Sequence, residues 1–139
     1  MTRKQPKGTA RPGVDEYGRV PAHYAANEGD ESSVKAFLEG SGSPDVLDDN
    51  GWTLLHFAAQ GRHIDIARLL LRSGANPNLV DAHGNGPLWT AIMNARGGTE
   101  LIAMLVQAGA DTDRRNARGK SPRDMANTIG HGLEKAIEP

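Results

Sequence analysis

The sequence predicts an all-α fold: an α-solenoid of three full helix–turn–helix repeats and a shorter closing repeat, joined by β-turn or hairpin loops. Three observations carry that expectation. Aspartates fall at Asp15, Asp48 and Asp81 and glycines at Gly18, Gly51, Gly84 and Gly119, a spacing of 33 residues that widens to 35 at the last step. After each glycine a similar phrase returns: Val20-Pro21-Ala22-His23-Tyr24-Ala25-Ala26, Thr53-Leu54-Leu55-His56-Phe57-Ala58-Ala59, Gly86-Pro87-Leu88-Trp89-Thr90-Ala91 and Ser121-Pro122-Arg123-Asp124-Met125-Ala126. Between these phrases, turn-forming residues alternate with apolar stripes too short to bury themselves alone. Units of this kind are stable only when stacked, and a stack presents a surface, so the repeat argues for binding rather than chemistry.

Residues 48–80 give the clearest unit. Asp48-Asp49-Asn50-Gly51 is turn chemistry, since Asx side chains bond their own backbone and glycine tolerates positive φ. Thr53 suits an N-cap. Leu54 to Gln60 then forms a short helix, with small Ala58 and Ala59 on a face that neighbouring helices can approach. Gly61-Arg62 ends it. A second helix follows from about Ile64 to Arg72, its apolar stripe formed by Ile66, Ala67, Leu69, Leu70 and Leu71. Gly74 fits the left-handed position after a helix, and Asn76-Pro77-Asn78 opens the extended link to the next turn.

This unit resembles the ankyrin repeat. The family pattern is matched by Asp48 to Gly51, Thr53-Leu54-Leu55-His56, Ala58-Ala59, His63, Ile66-Ala67, Leu70-Leu71 and Gly74-Ala75-Asn76-Pro77-Asn78. The resemblance spans residues 14–139, in repeats of about 15–47, 48–80, 81–115 and 116–139. It implies that the recurrent His23 and His56 are structural, bonding backbone and the threonine hydroxyl. The departures individualise the chain. Val20 replaces the capping threonine in the first repeat, and Ser41-Gly42-Ser43 replaces its Gly-Ala-Asp. Arg62 stands where the family usually has glycine. In the third repeat Gly86 stands for threonine and Trp89 for histidine, and two extra residues lie between Ile92 and Gly97. They must either extend the first helix by about half a turn or bulge its connection. The closing repeat has a capping box, Ser121 with Asp124, and Pro122 at the first helical position. Its last helix is expected at about His131 to Ile137.

At 139 residues with net charge −1, the chain is one domain with no global attraction to nucleic acid or membrane. It has no cysteine, which excludes disulfides and thiolate metal sites. Residues 1–13 hold Arg3, Lys4, Lys7 and Arg11 without an acid, and read as a disordered basic tail. No apolar run follows as a signal peptide would require, and none approaches a membrane span, so a cytoplasmic location is expected. Residues 14–50 are acidic, whereas Arg114, Arg115, Arg118, Lys120 and Arg123 make the far end basic.

No constellation supports catalysis, a metal or a cofactor. His63 with Asp65, and Asp81 with His83, each lack a third group. Gly97-Gly98-Thr99 lacks the lysine and preceding strand of a phosphate loop and reads as a helix start. By resemblance, a partner would meet the turn tips and the groove formed by the first helix of each repeat. The tip candidates are Tyr17, Arg19, Asp49, Asn50, Trp52, His83, Asn85, Arg118 and Lys120. The groove candidates are Asn27, Glu28, Gln60, the 93–96 segment with Met93, Asn94 and Arg96, and Thr128. Exposed aromatics often anchor interfaces, which singles out Trp52 and Tyr17. The expected function is a monomeric, non-enzymatic module that binds one protein and inhibits or regulates it, antitoxin- or immunity-like in a bacterium. The competing expectation is an assembly adaptor whose basic tail and C-terminal end contact nucleic acid.

Overall fold

Four times over, a turn tip leads into an inner helix, a tight turn, an outer helix and a return loop. The computed structural model describes residues 11–138. Its helices are α1 (Pro21–Glu28) and α2 (Glu31–Glu39), α3 (Leu54–Gly61) and α4 (Ile64–Arg72), α5 (Pro87–Met93) and α6 (Glu100–Gln107), and α7 (Pro122–Ile129) and α8 (Leu133–Ala136). The inner layer stacks α1 on α3, α3 on α5 and α5 on α7, while α2, α4, α6 and α8 stack in the same order outside. Among the described residues there is no strand. The repeats are therefore helical units joined by turns, as their patterning implied.

Each inner helix starts by a different solution to one problem, the unpaired N–H groups of a first turn. Thr53 Oγ1 accepts from His56 N–H while His56 Nδ1 accepts from Thr53 N–H. In the first repeat valine offers no side-chain oxygen, but His23 Nδ1 still accepts from Val20 N–H at 3.0 Å. Ser121 and Asp124 complete the capping box in both directions. Pro21, Pro87 and Pro122 each open a helix at a position where no N–H is needed.

The core runs through the stack as one column. Alanines on the inner helices (Ala26, Ala58, Ala59 and Ala126) are wholly buried, and their small size lets successive helices approach. Leu54, Leu55, Ile66, Leu70, Ile92, Ile102 and Leu105 fill the space between the layers. Gly61 lets the second repeat close on the first, since a Cβ there would stand 2.5 Å from the Asn27 carbonyl oxygen. Beside it His63 Nε2 meets that same carbonyl oxygen at 2.8 Å. Arg62 takes the left-handed conformation, φ 59°, that glycine adopts without strain, and its side chain is exposed.

Two sequence expectations are refined here. The extra residues of the third repeat bulge the connection and do not lengthen the helix: α5 ends at Met93 and α6 begins at Glu100. Asn94 Nδ2 donates to Thr90 O at 2.8 Å, Ala95 turns into the core, and Arg96 and Gly97 are left-handed at φ 46° and 86°. The last helix is shorter than expected, Leu133–Ala136, because positive φ at Gly130, His131 and Gly132 delays its start. Of the proposed basic tail, residues 1–10 lie outside the described residues.

Candidate partner-binding groove and turn tips

Each turn tip is closed by the side chain at its start. Asp15 Oδ1 accepts from the N–H groups of Tyr17 and Arg19. Asp48 Oδ1 does the same for Asn50 and Trp52, and Asp81 Oδ1 for His83 and Asn85. Asn116 Oδ1 serves Arg118 and Lys120. One backbone hydrogen bond then joins each tip to the one before it: Asp49 N–H to Tyr17 O, Ala82 N–H to Asn50 O and Ala117 N–H to His83 O.

The remaining atom of the Asp or Asn reaches back to the preceding repeat. Arg19 Nε donates to Asp48 Oδ2 at 3.1 Å, Trp52 Nε1 donates to Asp81 Oδ2 at 2.9 Å, and Asn116 Nδ2 donates to Asn85 Oδ1 at 2.9 Å. Arg19, Trp52 and Asn85 therefore occupy one position of the repeat and share one task, in three chemistries. Three of the residues expected to meet a partner also hold the repeats together.

The concave face forms a groove of about 610 Å³, lined by three rows that run across the repeats. Arg19, Trp52 and Asn85 make the first row, Tyr24, Phe57 and Thr90 the second, and Asn27, Gln60 and Met93 the third. Asn50, Asp81, His83, Trp89 and Asn94 complete the lining. The structure thus brings together Arg19, Asn27, Asn50, Trp52, Gln60, His83, Asn85, Met93 and Asn94 from the candidates. Tyr24, Phe57, Asp81, Trp89 and Thr90 were not among those candidates. The period contains the missing signal, because positions 24, 57 and 90 stand 33 apart, as do 27, 60 and 93.

Aromatic rings contribute to the floor. Trp52 stacks on His56 with ring centroids 5.2 Å apart and meets the edge of Phe57 at 4.9 Å. It is half-buried, so its indole is both packing and groove wall. The Arg19 guanidinium lies 5.0 Å from the Tyr17 ring centre, 5.6 Å from Tyr24 and 5.1 Å from Phe57. Asp15 accepts from the Tyr24 hydroxyl; burial works against its charge, but that bond and the N–H groups of Arg19 and Tyr17 hold its carboxyl below the usual range. The rim is amide-rich, with Gln60 Nε2 donating to Asn27 Oδ1 at 3.1 Å. Arg19 and Asp81 are the carboxylate or guanidinium groups lining the groove, and each is engaged within the stack.

The other candidates lie outside this groove. Tyr17 is exposed on the first tip, Glu28 at the end of α1, and Arg118 and Lys120 on the fourth tip. Asp49 sits on the second tip in a two-pronged ion pair with Arg11. Arg96 lines a separate cleft with Arg62, His63 and Thr99 at the helix–helix turns.

The recurrent histidines are structural and lie buried behind the groove lining. His56 Nε2 meets Asn85 O at 2.9 Å and His23 Nε2 meets Val46 O at 3.0 Å, so each ring ties two repeats together or closes its own. Burial pushes both imidazoles below their ordinary pKa, keeping them neutral. Among the described residues no three His, Cys, Asp or Glu side chains group as metal ligands, and no helix is long and apolar enough to cross a membrane.

Comparison with known proteins agrees with this architecture. Residues 15–116 match the family model described as ankyrin repeats in three copies. The chain is 30% identical over 126 residues to Ankyrin repeat domain-containing protein 63 of Mus musculus, covering 84% of this chain and 32% of that protein. It is 35% identical over 100 residues to Potassium channel AKT2/3 of Arabidopsis thaliana, covering 68% and 12%. With the B-cell lymphoma 3 protein homolog of Mus musculus the identity is 30% over 112 residues, covering 80% and 25%. The chain spans about a third or less of the length of these relatives.

Proposed function

Because the chain belongs to the ankyrin repeat family, whose repeats are generally protein–protein interaction modules, we propose that it is a non-enzymatic module that binds one protein partner. An uncharged segment of that partner lies in the groove, and charged flanks meet the turn tips. The three-row groove carries this reading: it joins exposed aromatic surface to an amide rim, and its two strongest charges are already engaged within the stack. Aromatic anchors surrounded by polar groups are what partner hot spots require. The acidic first repeat and the exposed Arg118 and Lys120 of the fourth tip would orient the partner along the stack. We extend the proposal to a monomeric inhibitor or regulator of the cytoplasm, a setting that a chain without cysteine suits.

Proteins cross-linked to the tagged chain in a lysate, identified by mass spectrometry, test the reading. Met93 is 52% exposed and outside the core, so Met93→Asp changes the groove without emptying a packed site. The specific partner should be lost with Met93→Asp and with Trp52→Ala, a weakening of about 10-fold or more. It should be retained with Arg72→Ala on the outer layer. Retention by both groove variants would refute the assignment. Salt-sensitive capture of nucleic acid through the basic end would favour the adaptor role instead.

A further inference from the structure

The second turn tip carries a contact that the repeat does not require. Arg11 donates from Nη1 to Asp49 Oδ1 at 2.9 Å and from Nη2 to Asp49 Oδ2 at 2.8 Å. This is the forked geometry by which a guanidinium, unlike an ammonium, matches a carboxylate. Asp49 is prepared for it. Its N–H is held by Tyr17 O at 2.9 Å, and its carboxylate lies against Gly18. A Cβ on Gly18 would fall 2.2 Å from Asp49 Oδ1, so this left-handed glycine, φ 74°, makes the room. With the pair formed, 17% of the Asp49 side chain stays exposed against 38% of the Arg11 side chain, so the arginine is the more outward partner. The Asp15 carboxylate on the neighbouring tip adds its attraction.

Periodicity shows that this seat is particular to the junction between the first two repeats. The positions equivalent to Asp49 are Glu16, on the first tip of the described residues, and Ala82 and Ala117, which carry no charge. Stacking therefore proceeds at the later junctions without an acid at this place.

We propose that Asp49, seated over Gly18 beside Tyr17, is a receptor for an arginine side chain of the partner, and that Arg11 fills it in the free chain. This rests on the tip row being part of the partner surface. The partner's arginine enters by exchanging with Arg11, one forked ion pair for another, and neither state leaves the carboxylate unpaired. Tethered within the same chain, a few residues before Tyr17 and Gly18, Arg11 competes at high effective concentration. It sets a threshold that a lysine-bearing or weakly docked segment does not pass.

The peptide acetyl-Ala-Arg-Pro-Gly-amide serves as the probe, titrated into the full chain and into its Arg11→Ala variant. The readout is the backbone amide shifts of Tyr17, Gly18 and Asp49. In Arg11→Ala these amides should shift saturably, with an apparent affinity at least about 5-fold above wild type because the tethered competitor is gone. Replacing the peptide arginine by lysine should weaken binding several-fold, and Asp49→Asn combined with Arg11→Ala should abolish it, with unchanged amide shifts in α3 and α4 reporting an intact fold. Equal affinity for wild type and Arg11→Ala, equal affinity for the lysine peptide, or persistence after Asp49→Asn would each overturn the receptor. Such a failure, with partner capture still sensitive to Met93→Asp, would remove the receptor and leave the groove. Success with capture indifferent to Met93→Asp would retain the receptor and refute the groove.

Discussion

At the scale of single residues, the side chains that build the tips belong at once to the fold and to the surface. Arg19, Trp52 and Asn85 were legible as tip positions because they recur every 33 residues. Their bonds to Asp48, Asp81 and Asn116 were not legible. Each partner lies 29 or 31 residues away, and the chemistry changes from ion pair to indole–carboxylate to amide–amide. Recurrence of position is visible in a sequence, whereas recurrence of role under changing residue type needs the geometry. His23 and His56 lead to a pH prediction. Burial lowers both folded-state pKa values, so below about 6.5 the unfolded chain takes up protons that the folded chain refuses. The urea midpoint should therefore fall between about pH 7.5 and about pH 5.5. The depressed carboxyls of Asp15, Asp30, Asp113 and Asp124 act in a lower window, as pH drops through and below the ordinary Asp range, and do not confuse the measurement. A midpoint unchanged over the upper interval would show that the two imidazoles do not govern stability.

At the scale of elements, helix positions were largely legible because capping residues, apolar stripes and terminating glycines agree. The expected second helix of the second repeat, about Ile64 to Arg72, coincides with α4. The two places where reading stopped short are places where left-handed residues gather. His131 carries no glycine-like signal for φ 57°, and the sequence around Asn94 permits either a longer helix or a bulge. The bulge now separates two deletions that both restore the 33-residue spacing. Removing Arg96 and Gly97 takes out two exposed left-handed residues and should cost less than about 1 kcal/mol, since loops absorb length changes cheaply. Removing Asn94 and Ala95 takes out a buried methyl and the side chain that bonds Thr90 O, and should cost more. Chemical denaturation of the two variants decides the matter. Equal losses would mean that Ala95 is not part of the packed core.

At the scale of the whole molecule, stability is distributed along a column instead of around a centre. Leu70 is fully buried between layers in the middle of the stack, so Leu70→Ala should cost about 2–5 kcal/mol. Glu138 has a side chain 62% exposed and a single surface ion pair with Arg123, so Glu138→Ala should cost about 0.5 kcal/mol or less. Urea melts of the two variants that shifted equally would contradict a stacked core. The tip ladder has a mechanical counterpart. Its three backbone bonds all run the same way, from an N–H of the later repeat to a carbonyl of the earlier one. Tension drawing the two ends of the column apart would load these junctions in series, each ladder bond with the side-chain bond beside it, and among the described residues no sheet shares the force. The chain would lengthen in steps, each releasing about one repeat, or roughly 110 Å of extended backbone. Because each repeat contacts only its neighbours, such a column would yield one repeat at a time under load.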